Sequence, residues 1–161
     1  MYQQQKLEKR SLTKQAKIIW FTGLSGTGKS TLSKAISKSL SNKYKIKCID
    51  GDIFRKKNKS RNLFTKKNIY ENNLEIIKYI KTLINKYDYI FVSVISPLLK
   101  TRKFSRKTFG DNYNEIYVYC SLATLIKRDT KGLYKKAQKN LIKNLIGFNS
   151  IIKYEKSNYK K

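Results

Sequence analysis

Short apolar runs alternate with segments of helical periodicity along the chain. The apolar runs are rich in β-branched and aromatic residues, and we predict strands at 18–21, 46–49, 89–95 and 116–120. Between them, helices are predicted over 30–41, over 65–86 with Thr65 as the N-cap, and from Leu122 onwards. The helical spacing rests on Leu32, Ala35, Ile36 and Leu40 in the first helix, and on Ile69, Leu74, Ile77, Ile80, Leu83 and Ile84 in the second.

The order of these elements predicts an α/β fold. Four strands separated by connections too long for hairpins indicate a parallel sheet with helices on both faces, a three-layer arrangement. The run at 89–95 is apolar almost throughout, which is typical of a strand covered on both faces. We expect one domain over 18–161, preceded by a basic N-terminal arm over 1–17, with short helices and loops from Asp129 onwards.

The charge balance limits the chemistry. Lysine and arginine total 37 against 10 acidic residues, a net charge of +27, and histidine is absent. Histidine-ligated metal sites and Ser-His-Asp triads are therefore excluded. Of the basic residues 31 are lysines spread along the chain, whereas a nucleic-acid interface concentrates its charge and favours arginine. We expect anionic small substrates and no dedicated nucleic-acid partner.

The location of the protein is predicted from what the sequence lacks. No apolar run approaches the roughly 20 residues of a membrane span, and we expect neither a membrane segment nor a secretory signal. Cys48 and Cys120 show no CxxC pairing. We expect a cytoplasmic protein in which both thiols are buried.

A phosphate-binding loop follows the first predicted strand. Residues 23–30 read Gly-Leu-Ser-Gly-Thr-Gly-Lys-Ser, the G-x-x-x-x-G-K-[ST] pattern between a strand and a helix. Its glycines let backbone N–H groups surround phosphates, Lys29 neutralises the β- and γ-phosphate oxygens, and the Ser30 hydroxyl reaches Mg²⁺. The predicted ATP-binding residues are Gly23, Leu24, Ser25, Gly26, Thr27, Gly28, Lys29, Ser30 and Thr31. A compact kinase of small molecules fits this length better than a GTPase.

Two carboxylates follow the second predicted strand. Asp50 and Asp52 straddle a glycine at the carboxyl end of that strand, where parallel sheets bind their ligands. Asp50 is predicted to support Mg²⁺, and Asp52 either to hold a metal-bound water or to accept a proton from the acceptor hydroxyl. Arg55 lies one helical turn later and is predicted to grip an anionic acceptor.

Several motifs together resemble the adenylylsulfate (APS) kinase family. They are the phosphate loop through Thr31, Asp50-Gly-Asp-x-x-Arg55, Glu71-Asn72, Ile95-Ser-Pro97, and Arg128-Asp-x-Lys-Gly-Leu-Tyr-Lys-Lys-Ala137. The last is the most diagnostic. The resemblance implies a P-loop kinase fold and transfer of the γ-phosphate of MgATP to the ribose 3′-hydroxyl of a nucleotide. It also implies a homodimer, because family members are commonly dimers.

The resemblance also assigns further roles. It places Arg55 and Asn72 at the acceptor nucleotide, Phe64 against its base, Ile95 and Ser96 along its 5′ end, and Arg128 near the ATP base. A lid over about 128–147 would close on the site and contribute Lys131 and Leu133. The family's matching serine is often marked as a phosphoserine, so Ser96 joins Lys29 and Asp52 as a catalytic candidate. Direct in-line transfer with Ser96 as a binding residue is the preferred mechanism.

The chain departs from the family pattern on the acceptor side. Ile69 replaces an arginine, Leu145 replaces an aromatic residue of the adenine sandwich, Leu98 and Leu99 replace an aromatic and an arginine, and the segment after Ser150 is altered. These changes slightly favour cytidine 5′-diphosphoramidate, the acceptor of a branch of the family in capsule synthesis, over APS. A non-catalytic P-loop protein that binds nucleotides or nucleic acid is the alternative, and a gluconate or shikimate kinase is a weaker one.

Overall fold

Four parallel strands form the sheet in the part of the chain that the structure describes. The computed structural model of the protein describes residues 15–57 and 65–157. The strands are β1 (Lys17–Thr22), β2 (Ile46–Asp50), β3 (Tyr89–Ser93) and β4 (Tyr113–Tyr117), in the order β2-β3-β1-β4. Within the described part of the chain β1 pairs in parallel with both β3 and β4. The carboxyl ends of all four strands therefore meet at one edge of the sheet.

Helices cover both faces of the sheet, which confirms the three-layer α/β prediction. They are α1 (Lys29–Leu40), α2 (Gly51–Lys57), α3 (Lys66–Leu83), α4 (Leu99–Phe109), α5 (Leu122–Arg128) and α6 (Leu133–Gln138), with a 3-10 turn at Gly110–Asn112. On one face α3 packs Ile76, Ile77 and Ile80 against alternate residues of the strands. On the other, the Ser33 and Ser93 hydroxyl oxygens of α1 and β3 lie 3.0 Å apart.

The apolar pattern of α3 and β3 was predicted correctly. Thr65 caps α3, because its Oγ1 accepts a hydrogen bond from Asn68 N at 3.1 Å. Residues 90–94 of β3 and its extension are all buried. The main core combines them with residues from both neighbouring strands, and its largest members are Ile18, Trp20, Ile76, Ile77, Ile80, Ile90, Phe109 and Tyr113.

Other predictions need correction. The apolar spacing of α1 does not mark its buried face: Ser33 is buried there, whereas Leu32 is 40% exposed. Strand β4 begins three residues before the predicted 116–120, because Tyr113 rather than Ile116 enters the core. Cys48 is exposed on the edge strand β2, and Cys120 is only half-buried, so the expectation of two buried thiols was wrong.

Helices α2 and α4 were not predicted. In α4 the buried side chains include Thr101, Arg102 and Ser105, so an apolar stripe could not reveal the helix.

No helix in the two described ranges, 15–57 and 65–157, is long and apolar enough to cross a bilayer.

Candidate active site

The phosphate loop connects β1 to α1 at the carboxyl edge of the sheet. Gly23, Gly26 and Gly28 have φ angles of 142°, 81° and 93°, which favour glycine over residues with a side chain. A Cβ on Gly23 would also lie 2.3 Å from the Val118 carbonyl oxygen of the segment after β4. Two independent constraints therefore require glycine at position 23, whereas a Cβ on Gly28 would meet open space.

Lys29 lies inside the loop at the first position of α1. Its side chain is 8% exposed, and its Nζ donates hydrogen bonds to the Gly23 and Leu24 carbonyl oxygens at 3.0 and 2.7 Å. Burial, with a smaller contribution from the charge of Lys131, lowers the pKa of Lys29 to about 8, although Asp52 and Asp50 oppose the shift. The ammonium is thus held close to the loop at the cost of part of its solvation.

Ser30 and Asp50 form an oxygen pair suited to a magnesium ion. The Ser30 hydroxyl donates to Asp50 Oδ2 at 2.5 Å, and Asp50 Oδ1 accepts from the Asp52 and Ile53 backbone N–H groups. One carboxylate and one hydroxyl fit Mg²⁺, which usually takes its remaining ligands from phosphates and water. The described residues contain no cluster of three or more acidic, Cys or His side chains that could hold a metal alone.

Asp52 faces two cations, Arg55 and Lys131. Its Oδ1 accepts from Arg55 Nη2 at 2.5 Å, and its Oδ2 accepts from Lys131 Nζ at 2.7 Å. Burial tends to raise the pKa of this carboxyl, but the hydrogen bond and charge of Lys131, with Arg55 and Lys29, bring it below its ordinary value. Asp52 is therefore ionised at neutral pH, and it joins the lid to the site across 79 positions of sequence.

The segment predicted to form the lid, residues 128–147, contacts the phosphate loop through Tyr134. This side chain is 2% exposed, and its hydroxyl donates to the Ser25 carbonyl oxygen at 3.0 Å. Asp129 orders the start of α6 by accepting from the Tyr134 and Lys135 backbone N–H groups. Leu133 is half-buried in the same cluster, whereas Arg128 is exposed at the end of α5.

The loop after β3 lies beside the phosphate loop. Thr22 Oγ1 donates to the Ile95 carbonyl oxygen at 2.6 Å, and Gly23 N donates to the same oxygen at 3.4 Å. Ser96 is 2% exposed with φ at 42°, and its hydroxyl lies 3.3 Å from Thr101 Oγ1. No general base contacts that hydroxyl among the hydrogen bonds of the described residues.

The other residues predicted near the acceptor or the adenine lie on α3, in apolar clusters or outside the described residues. Asn72 is half-buried on α3, and its Oδ1 is buried without a hydrogen-bond partner in the described part of the protein. Ile69 is 9% exposed within an apolar cluster that contains Leu98, Ile146 and Ile152. Phe64 lies outside the described residues. Leu145 is 7% exposed and packs with Leu125 of α5 and Tyr134 of α6.

Sequence reasoning missed a buried arginine and its partners. Arg102 on α4 is fully buried and contacts Ser96, Glu115 and the segment over 154–157. Nothing distinguishes Arg102 from the surrounding basic residues of α4 in the sequence.

Comparisons with known proteins agree with this geometry. The sequence profile of the family described as adenylylsulphate kinase matches residues 15–159. The adenylyl-sulfate kinase of Clostridium acetobutylicum is 34% identical, covering 97% of this chain and 80% of that protein. That of Gloeothece citriformis is 37% identical, covering 80% of this chain and 73% of that protein.

Solved structures give the same result. The Mycobacterium tuberculosis APS kinase in complex with AMPPNP and APS superposes with a TM-score of 0.82 at 29% identity, over 90% of this chain and 85% of that one. A gluconokinase from Sinorhizobium meliloti superposes with a TM-score of 0.56 at 20% identity, over 78% of this chain and 73% of that one, a likeness that bears on the fold alone.

Proposed function

The chain belongs to the adenylylsulfate kinase family and is a phosphotransferase with a hydroxyl group as acceptor; from this premise we propose that it transfers the γ-phosphate of ATP to the ribose 3′-hydroxyl of APS. The observation that carries the proposal is the contact between Asp52 and Lys131. It brings the acid after β2 and the lid together beside the phosphate loop. These are three of the five motifs on which the family resemblance rests.

The residues of the phosphate loop bind and neutralise the ATP phosphates in this proposal. Backbone N–H groups of the loop and the start of α1 surround the phosphates, and Lys29 turns its ammonium from the loop carbonyls to the β- and γ-phosphate oxygens. Ser30 and Asp50 would hold Mg²⁺, which supplies charge neutralisation on the phosphates when bound. Positioning and electrostatics supply the rate enhancement without a covalent enzyme intermediate.

Asp52 receives the proton of the acceptor hydroxyl. The 3′-oxygen forms a bond to the γ-phosphorus, the bond from that phosphorus to the β–γ bridging oxygen breaks, and ADP leaves with the electron pair. Arg55 and Asn72 bind the acceptor, with Ile95 and Ser96 lining its 5′ end. Lys131 and Leu133 close over the site, which excludes water from the transfer.

Cytidine 5′-diphosphoramidate is a second candidate acceptor, favoured by the surroundings of Ile69. Where the family has an arginine, this chain has an aliphatic side chain packed with Leu98, Ile146 and Ile152. Losing a charge-assisted hydrogen bond there costs about 1.5–3 kcal/mol with a strongly anionic acceptor. A phosphoramidate is less acidic than a sulfate, so its binding would lose less free energy from the missing arginine.

Turnover with the two acceptors at equal concentration tests the proposal. ADP formation is measured with MgATP and APS, with MgATP and the cytidine compound, and without acceptor, and Lys29→Met serves as the inactive control. A preference for APS supports transfer to APS, and a preference for the cytidine compound supports the second candidate. Binding of ATP without turnover of either acceptor would contradict the kinase proposal and favour a non-catalytic role.

A further inference from the structure

Arg102 connects three separate segments at the acceptor side of the sheet. Its Nη1 donates to the Ser96 carbonyl oxygen at 2.5 Å, and its Nε donates to Glu115 Oε1 of β4 at 3.0 Å. Its Nη2 donates to the Glu155 carbonyl oxygen of the C-terminal segment. The guanidinium also lies 4.9 Å from the centre of the Tyr154 ring. A planar group with several fixed donors can satisfy these directions at once, whereas a lysine ammonium cannot match that geometry.

The C-terminal segment, residues 150–157, is held to the same loop by further contacts. Glu155 N donates to the Pro97 carbonyl oxygen at 2.9 Å, and Glu155 Oε2 accepts from Leu99 N at the start of α4, at 2.6 Å. The Tyr154 hydroxyl lies 2.8 Å from Thr22 Oγ1, which itself binds the Ile95 carbonyl oxygen. Each end of the loop over 95–99 is therefore tied to this segment.

The loop has a conformation that needs such support. Ser96 has φ at 42°, outside the regions that a residue with a side chain prefers. Such a conformation persists only when neighbouring contacts determine it. Arg102 holds the Ser96 carbonyl directly, and Thr22 holds the preceding one.

We propose that Arg102 is a positioning residue that couples the C-terminal segment to the loop over 95–99 and thereby sets the affinity for the acceptor nucleotide. This inference rests on the proposed function, in which Ile95 and Ser96 line the acceptor. Arg102 does not touch the reacting atoms; it fixes the backbone of the loop in which Ile95 and Ser96 line the 5′ end of the acceptor. Glu115 completes the arrangement, because its carboxylate is almost fully buried and accepts from both Arg102 and the Ser157 hydroxyl.

Steady-state kinetics separates this role from a general loss of stability. Arg102→Lys keeps the positive charge but cannot donate hydrogen bonds to Ser96, Glu115 and Glu155 in the same geometry. We expect the acceptor KM to rise about 10- to 100-fold and the ATP KM to change less than about twofold. Ser105→Ala is the matched control, because it removes a buried hydrogen bond of the same helix, to the Thr101 carbonyl oxygen. Equal changes of both KM values in the two variants, or an unchanged acceptor KM in Arg102→Lys, would overturn the proposal.

A second pair of variants keeps the test decisive if Arg102→Lys fails to fold. The Glu155 side chain is exposed, so Glu155→Ala removes the bond to Leu99 N without opening the core. We expect the acceptor KM to rise about threefold to tenfold in Glu155→Ala and to recover in Glu155→Gln, which keeps a side-chain oxygen acceptor. An acceptor KM that is unchanged in Glu155→Ala would count against the coupling.

Hydrogen exchange distinguishes failure of this inference from failure of the proposed function. In Arg102→Lys or Glu155→Ala the amides over 94–99 and 150–157 should exchange faster together, whereas Ser105→Ala should leave them unchanged. Faster exchange in the C-terminal segment alone would refute the coupling. A wild-type protein that phosphorylates neither acceptor would refute the proposed function, while the exchange rates would still decide whether Arg102 couples the two segments.

Discussion

Replacing Asp52 by asparagine tests the proton acceptor with little change of shape. The carboxylate lies 2.5 Å from Arg55 and 2.7 Å from Lys131, and its lowered pKa keeps it ionised at neutral pH. Asparagine keeps one oxygen but cannot take a proton, so we expect kcat to fall by about 10²- to 10⁴-fold. The ATP KM should change by less than about twofold, because Lys29 and the loop amides remain.

The same variant should hardly affect folding. The Asp52 side chain is 48% exposed, and ion pairs with water access contribute about 0–1 kcal/mol. Because the folded-state pKa lies below the ordinary 3.8, the carboxylate stabilises the fold above that pH and loses this contribution as the pH falls through the lowered value. The midpoint of urea unfolding at pH 7 should therefore move little, which ensures that a lost kcat reports on chemistry.

The assay is the initial rate of ADP formation with saturating ATP and acceptor, between pH 5 and pH 8. The wild type should show no acid limb from Asp52 in that range, since the group is already ionised. Asp111→Asn removes one exposed charge near the start of β4, at the opposite edge of the sheet, and should keep the wild-type rate. An Asp52→Asn protein with kcat within tenfold of the wild type would refute the proposed role of Asp52.

Three further perturbations follow from the site and its core. Between about pH 8 and 10.5 the folded protein binds fewer protons at Lys29 than the unfolded chain does. The wild type should therefore gain up to about 3 kcal/mol of unfolding free energy relative to Lys29→Met as the pH rises through this range, as measured by denaturant unfolding. A stability difference that does not depend on pH would contradict this. Gly23→Ala should raise the ATP KM much more than Gly28→Ala, because only position 23 adds a backbone clash to the backbone strain; equal KM values would be evidence against it. Ile69→Ala should lower the free energy of unfolding by about 2–4 kcal/mol and the exposed-residue control Ile53→Ala by less than about 1; equal losses would show that Ile69 is not a core residue.

The sequence predicted the parts of the fold that depend on apolar periodicity and turn chemistry. Helix α3 and strand β3 carry continuous apolar patterns. The glycines and Lys29 of the phosphate loop have the spacing that phosphate binding requires. Helix α4 could not be found in this way, because its buried positions include Thr101, Arg102 and Ser105. Hydrogen bonds of the polar side chains stabilise that buried face. Those of Thr101 and Ser105 go to carbonyl oxygens of their own turn, and those of Arg102 reach β4 and the C-terminal segment.

The sequence suggests candidate residues for the site but not the contacts among them, which depend on the tertiary structure. Asp50 accepts a hydrogen bond from Ser30, and Asp52 contacts Lys131 and Arg55. Ile69 and Leu145 were interpreted as acceptor and adenine positions, and the structure places both in apolar clusters. The homodimer and the separate N-terminal arm over 1–17 stay predictions, and residues 1–14 of that arm lie outside the described part of the chain.

The position of β1 in the sheet has a consequence for synthesis of the protein. Lys17 pairs with Tyr89 and Ile18 with Tyr113, so the strand that precedes the phosphate loop emerges from the ribosome well before either neighbour. At a translation rate of about 5–20 residues per second, β3 is synthesised several seconds after β1, and β4 later still. The Val118 carbonyl that crowds Gly23 arrives later still. The nascent chain therefore completes its nucleotide-binding loop only after most of the domain has been translated, and an interrupted chain exposes apolar side chains of β1 that the finished sheet buries.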